Sequence, residues 1–175
     1  MSGREPYEFY EAIISDVRNE LVARGSSGIS SQVDEVGKNI RCLVFAELLE
    51  HFILPGTKSF LFIRSEKSFF GDMSQNPFFG RKVAEGFLKN AGKISVILGQ
   101  APEAEIISKY CPPSSVRILT GDFPKDEFFV NPGGAHIQRT SSGGPTPSYL
   151  NRAYVNAERA SLLLGKFENF WEKST

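Results

Sequence analysis

The sequence is poor in the residues that carry covalent and metal chemistry. It holds two cysteines and two histidines in 175 residues. Cys42 lies in an apolar helical run and Cys111 precedes Pro112-Pro113, with no metal-ligand spacing. Two such thiols fit a reducing compartment better than a disulfide framework. His51 and His136 fall far apart in different elements, whereas metal sites gather His, Cys, Asp and Glu at short spacings. A nucleotide P-loop needs a glycine-rich turn with Lys and Ser/Thr opening a helix. The pairs 37-GK-38, 92-GK-93 and 165-GK-166 lack that context. The dinucleotide fingerprint G-x-G-x-x-G and the nucleophile elbow G-x-S-x-G are also missing. We therefore expect no cofactor, no metal and no catalytic residue.

An excess of one charge sign is missing too. Twenty basic and twenty acidic residues cancel, so no global positive field marks a nucleic-acid binder. A local basic pocket is still compatible with that sum. No apolar run approaches the roughly 18 residues of a membrane span. The segment MSGREPYEFYEAI lacks a basic stretch followed by an apolar one, so no signal peptide is read and a cytoplasmic location is expected.

What is present is a globular balance, 41% hydrophobic and 23% charged, with fifteen phenylalanines that predict an aromatic core. A single domain over 1–175 is expected, with a helical part at 1–56 and a sheet-containing part at 57–175. Phe9, Ile13, Val17 and Leu21 recur every four residues and predict a helix over 5–23, stopped by Gly25. The stretch 25–32 reads as a loop. Ile40, Val44, Leu48 and Phe52 predict a second helix over 34–54.

The period then changes. Segments 59–65, 93–99 and 115–120 read as buried strands. A polar loop at 66–77 and helices at 78–91 (Phe79, Val83 and Phe87 aligned) and 102–110 lie between them. That alternation implies a parallel strand–helix–strand–helix–strand core. Segments 127–131 and 135–139 read as a hairpin turning at Pro132-Gly133-Gly134. A loop at 140–149 precedes a strand at 151–156. A helix over 157–173 follows, capped by Asn156, with Ala160, Leu163, Leu164, Phe167 and Phe170 as its buried stripe. The expected fold is α/β: a mixed sheet with a parallel βαβαβ core, a C-terminal hairpin plus strand, flanking helices and two N-terminal helices.

Candidate binding residues follow from polar positions on strands, which need partners or a ligand. Arg64 ends the first strand, with Lys67 close behind. His136, Arg139 and Arg152 lie on the later strands, and Asn156 leads into the last helix. Arg64, Arg139 and Arg152 together would make an anion pocket, because guanidinium forks match phosphate and carboxylate. The bland alternative is three surface arginines. The carboxylates Asp122, Asp126 and Glu127 cluster where strand ends commonly face a crevice, and the bland reading there is a solvated turn.

The order of elements resembles one half of a phospholipase D-like domain. The likeness rests on a Phe-rich strand, a glycine hairpin, a further strand ending in Asn, and a C-terminal helix ending in Phe-x-x-Phe-Trp, and it covers roughly 57–173. In that family the strand before the hairpin carries His-x-Lys. The His takes the phosphoryl group and the Lys steadies its oxygens. Here that position falls in 127-EFFVN-131, which shows Phe128, Phe129 and Val130, and the family's Asp position falls near Asn131. Gly133, Gly134 and Asn156 fit the pattern. His136 follows the turn, so the nucleophile's role does not transfer to it. The resemblance implies a non-catalytic module that keeps an anion-binding crevice for a nucleotide or phosphate group. It also implies pairing with a second copy or a related chain, because family enzymes unite two halves across one site. The alternatives are a phosphodiesterase or nuclease with an altered site, using His136, and a scaffold protein.

Overall fold

The computed structural model describes residues 5–31, 35–70, 77–99, 104–141, 145 and 149–175. In chain order the elements are α1 (Glu5–Arg24), β1 (Ile29–Ser31), α2 (Glu35–His51), β2 (Ser59–Ile63), α3 (Glu66–Phe70), α4 (Pro77–Lys89) and β3 (Ile94–Leu98). There follow α5 (Glu105–Tyr110), β4 (Val116–Ile118), β5 (Asp126–Val130), β6 (Ala135–Ser141), β7 (Tyr149–Val155) and α6 (Ala157–Lys173). The described strands form one mixed sheet in the order β1-β7-β6-β5-β2-β3-β4. β2, β3 and β4 run parallel, as the strand–helix alternation predicts. β5 pairs antiparallel with β2, so the sheet reverses direction at that seam.

Both faces of the sheet are covered. Leu61, Ile63, Val96, Leu98, Phe129, Ala135, Ile137 and Ala153 point to one side, where α1 to α5 pack on them. Phe62, Ile97, Phe128 and Val130 point to the other, where α6 packs through Ala160, Leu163 and Phe167. The helix α6 starts where expected: the Asn156 side chain accepts a bond from the Arg159 N–H. The two N-terminal helices pack on the sheet. Leu21, Leu43 and Phe45 share a core with Phe129 and Ile137. Arg18 pins α1 to α2 by donating from Nε and Nη2 to the Glu47 carboxylate, at 2.8 and 3.2 Å.

Two expected loops contain structure. The 25–32 stretch holds β1, three residues whose Ile-Ser-Ser composition gives no alternation to read, paired antiparallel with β7. Gly28 turns the chain there at φ +95, directly under the Tyr154 ring, where an added Cβ would collide with the aromatic edge. The 66–77 stretch opens with α3. Its first turn is closed by reciprocal bonds between Ser65 and Ser68, and Phe69 and Phe70 are buried beneath it. Segments 32–34, 71–76, 100–103, 142–144 and 146–148 lie outside the described residues, as do the side chains of Phe9, Ile40 and Phe79.

Phe45 is the hub of the aromatic core. Its ring lies 5.0 to 6.0 Å from those of Phe69, Phe70, Phe87 and Phe129, joining α2 to α3, α4 and β5. Edge-to-face and tilted contacts of this kind add to the burial of the rings themselves. Phe45→Ala should therefore cost about 3–5 kcal/mol. Urea unfolding should show a lower midpoint with an unchanged slope; a shift smaller than about 1 kcal/mol would show that the core closes over the space.

Candidate functional site

Strand alternation puts three polar residues on the core face of neighbouring strands. Glu127 pairs across to Arg139, and Arg139 pairs across to Asn151. All three are buried, at 7%, 7% and 1% exposure. The row lies at the carboxyl end of β2, beside the seam where the sheet changes direction. That position is the usual ligand crevice of open α/β sheets.

Burying a carboxylate is costly unless it is paired and hydrogen-bonded. Glu127 meets that demand from three segments. Its Oε2 accepts from the Arg64 backbone N–H at 2.8 Å and from the Ser68 hydroxyl at 3.0 Å. Its Oε1 lies 3.3 Å from Arg139 Nη1. Arg139 Nη1 also donates to the Ser68 carbonyl. The pair is thus neutral in sum and ties β5 and β6 to the start of α3. Asn151 is different. Neither its amide oxygen nor its amide nitrogen has a hydrogen-bond partner among the described residues, although groups this buried are almost always partnered.

The expectation that Glu127 belongs to a solvated turn is corrected. It faces inward with Phe129, while Asp126 faces the other side and meets Lys166 at 3.1 Å. Period-two reading of 126–130 carries that signal. The same reading of 149–155 sets Asn151 with the apolar Ala153, so a polar residue on the core face is visible there.

The six residues expected to bind a ligand do not converge on one place. Arg139 and the Arg64 backbone N–H meet Glu127, while the Arg64 and Lys67 side chains are exposed in the β2–α3 turn that also supplies Ser68. Arg152 pairs across to Gln138, the neighbour of Arg139, so Arg139 and Arg152 point to opposite sheet faces. The three-arginine pocket is corrected on that ground. His136 is on the α6 face near the hairpin, stacked on Tyr154 at 4.7 Å, and the Arg159 guanidinium lies 4.5 Å from the centre of the Tyr154 ring. Its Nδ1 donates to the Gly134 carbonyl at 3.0 Å. Asn156 caps α6 with its oxygen and donates from Nδ2 to Ser26 O at 2.9 Å, so both its polar atoms are committed to the fold.

Asn131, at the family's Asp position, is likewise structural. Its oxygen accepts from Gly133 N–H and Leu54 N–H, and its nitrogen donates to Thr57 and Ser59. Elsewhere, Glu66 is buried and accepts from the Ile106 and Ile107 N–H groups at the start of α5. Burial raises its pKa, and those two N–H groups pull it back. Among the described residues, one group has metal-like proximity, Glu47, Glu50 and His51. Glu47 is already held by Arg18 in that group.

Comparison with solved structures agrees with this architecture. The fold is phospholipase D-like. Nuc from Salmonella typhimurium, a phospholipase D family member, aligns with a TM-score of 0.50 at 9% identity, over 85% of this chain and 95% of that one. NucT from Helicobacter pylori aligns at 0.55 and 9%, over 85% and 97%. TrmBL2, an archaeal chromatin protein described with a novel mode of DNA binding, aligns at 0.52 and 11%, over 98% of this chain and 64% of that one. No family model and no curated protein matches the chain. Among the described residues no helix is long and apolar enough to cross a membrane.

Two outcomes are expected. Glu127→Ala leaves the Arg139 charge buried without its carboxylate, and should cost about 3–5 kcal/mol in equilibrium unfolding. Glu127→Gln, which keeps an acceptor, should cost less. If both are neutral, the pair does not organise the crevice. The His136 prediction concerns pH. Burial holds its pKa below the usual 6.5, with Arg159 adding to the shift and the Gly134 bond opposing it. In the window from 6.5 down to the folded value, the unfolded chain binds more protons. Stability should therefore be full above about pH 6.5 and fall as the pH drops. His136→Phe, which keeps the stack on Tyr154, should flatten that part of the profile of melting temperature against pH.

Proposed function

We propose that this chain is a non-catalytic phospholipase D-like module that binds an anionic ligand, a nucleotide or a phosphate group, in the crevice above Glu127, Arg139 and Asn151. The observation that carries the reading is Asn151: a fully buried amide with donor and acceptor both unpartnered among the described residues. A ligand with acceptor oxygens and a hydroxyl or amino group satisfies both atoms. The exposed cations Arg64 and Lys67 belong to the turn whose backbone and Ser68 hydroxyl hold Glu127, which supports assigning them to the rim, and the floor is neutral because Glu127 cancels Arg139. The local field therefore favours an anion although the chain as a whole sums to zero. Among the described residues no histidine reaches this row, since His136 stands on the other sheet face. A covalent phosphohistidine step lacks its nucleophile on this reading.

The likeness in fold to a phospholipase D family member favours one alternative, a phosphodiesterase or nuclease with an altered site. Pairing of two copies belongs to the proposal as well. It places a second crevice beside the first, and light scattering at micromolar concentration reads it directly.

The main test is thermal stability against inorganic phosphate and a panel of mononucleotides and cyclic nucleotides. A ligand at about a hundred times its Kd adds about 2.7 kcal/mol, roughly 5–10 °C in Tm for a chain of this length. Asn151→Ala and the pair Arg64→Ala with Lys67→Ala should each remove most of that shift. No shift across the panel sinks the binding reading. Hydrolysis of a phosphodiester that disappears in His136→Ala would replace it with the enzyme.

A further inference from the structure

A second concavity lies at the opposite end of the sheet and on its other face, and the crevice function does not use it. It is an open cleft of about 340 Å³ between α6 and the amino-terminal ends of β2 and β3. Phe60, Phe167 and Trp171 form its apolar lining; the rings of Phe60 and Phe167 lie 5.0 Å apart, and those of Phe167 and Trp171 stack at 5.7 Å. Its polar groups are Glu168 and Glu172, one helical turn apart on α6, with Lys58 and Ser95. Both carboxylates are exposed, and neither has an ion-pair partner among the described residues. Within the lining, two carboxylates against one ammonium leave an acidic surface; the Arg117 guanidinium nearby is not part of the lining and is bound to the Trp171 ring and carbonyl.

We propose that this cleft binds a small organic cation, an amine or guanidine on an aliphatic stem. Aromatic faces attract cations through the ring quadrupole, most strongly for indole. The Trp171 ring is already used by one cation, since the Arg117 guanidinium sits 4.2 Å from its centre while donating to the Trp171 carbonyl at 2.8 Å, so an entering cation is left the Phe60 and Phe167 rings and the two carboxylates. A stem of a few methylenes lies along Phe60 and Phe167, and its charged head meets Glu168 and Glu172. The charge balance selects against phosphate-bearing ligands, which the two carboxylates repel. It also selects against neutral apolar ligands, which take water from those carboxylates and return nothing. The volume is at the lower end of small-molecule sites and suits one short molecule better than a length of peptide.

Trp171 is the single tryptophan of the chain, so its fluorescence reports on this cleft alone. The full chain is titrated with agmatine and with n-butylamine, and in parallel with n-butanol as an uncharged counterpart. The amines should give a saturable change in the millimolar range that weakens with added salt. In the variant Glu168→Gln with Glu172→Gln, binding should weaken by about tenfold or more. Both side chains are exposed, and circular dichroism checks that the fold is retained. Inorganic phosphate should not compete, so this result stands apart from the crevice experiment. An equal response to n-butanol, unchanged binding in the double variant, or no saturable response overturns the proposal. A short lysine peptide that binds far more tightly than the free amines also overturns it, by assigning the cleft to a partner's side chain.

Discussion

One buried carboxylate sets the terms for the crevice end of this fold. Glu127 is inside because strand alternation leaves it no choice: its neighbours Phe128 and Phe129 are both fully buried on opposite faces. An inward carboxylate that is not neutralised would be among the most costly groups in the chain. Its partners come from the end of β2, the first turn of α3 and the middle of β6. Satisfying one charge therefore fixes three connections at once. The β2–α3 corner is drawn onto the hairpin, and the Ser65–Ser68 turn is held in the geometry that lets Phe69 and Phe70 reach the Phe45 cluster. The crevice floor is consequently neutral, and Asn151 is left on it as a buried amide without a hydrogen-bond partner among the described residues.

The other end of the hairpin is organised by uncharged groups that have no capacity to spare. Asn131 uses its side-chain oxygen twice and its nitrogen twice. The Gly134 carbonyl receives both Asn156 N–H and His136 Nδ1. Gly134 itself sits at φ +117 with the Asn156 backbone about 3.0 Å from where a Cβ would stand. Residues that the phospholipase D resemblance marks as functional positions are here spent on holding the turn against α2 and α6. His136 is held within the same packing. Its proton is assigned by a carbonyl, and its ring is covered by Tyr154.

Much of this architecture is legible in the sequence. The period shift near 59, the alternation of strand and helix to 120, and the Asn156 cap all follow from spacing and composition, and each matches an observed element. Two short elements are not legible. β1 has three residues, and α3 has five; neither is long enough to show a period, and both are held by tertiary bonds. The crevice end is partly legible. Arg64 follows the end of β2 and its backbone N–H meets the carboxylate that also holds Arg139, because strand ends in one sheet end at the same level. Arg152 is misplaced when strand arginines are treated as one set without following the register. A one-residue step along β7 carries the chain from Asn151 on the core face to Arg152 on the α6 face.

The same step explains why bulk charge says little about this molecule. Zero is a sum over positions that the sheet sorts by face and by end. Asp126 goes to α6 and meets Lys166, while Glu127 goes to the core and meets Arg139. Those pairs cancel locally, while Arg64 and Lys67 beyond the carboxyl end of β2 and Glu168 and Glu172 over its amino end are exposed charges of opposite sign at opposite ends of one strand. The five residues of β2 set them about 16 Å apart along the strand, beyond the Debye length of about 8 Å, so solvent and salt screen each from the other. On the two proposals, a ligand's sign would decide which end it meets. A fold with net charge zero keeps charges of opposite sign apart in this way because alternation along its strands sorts them by face.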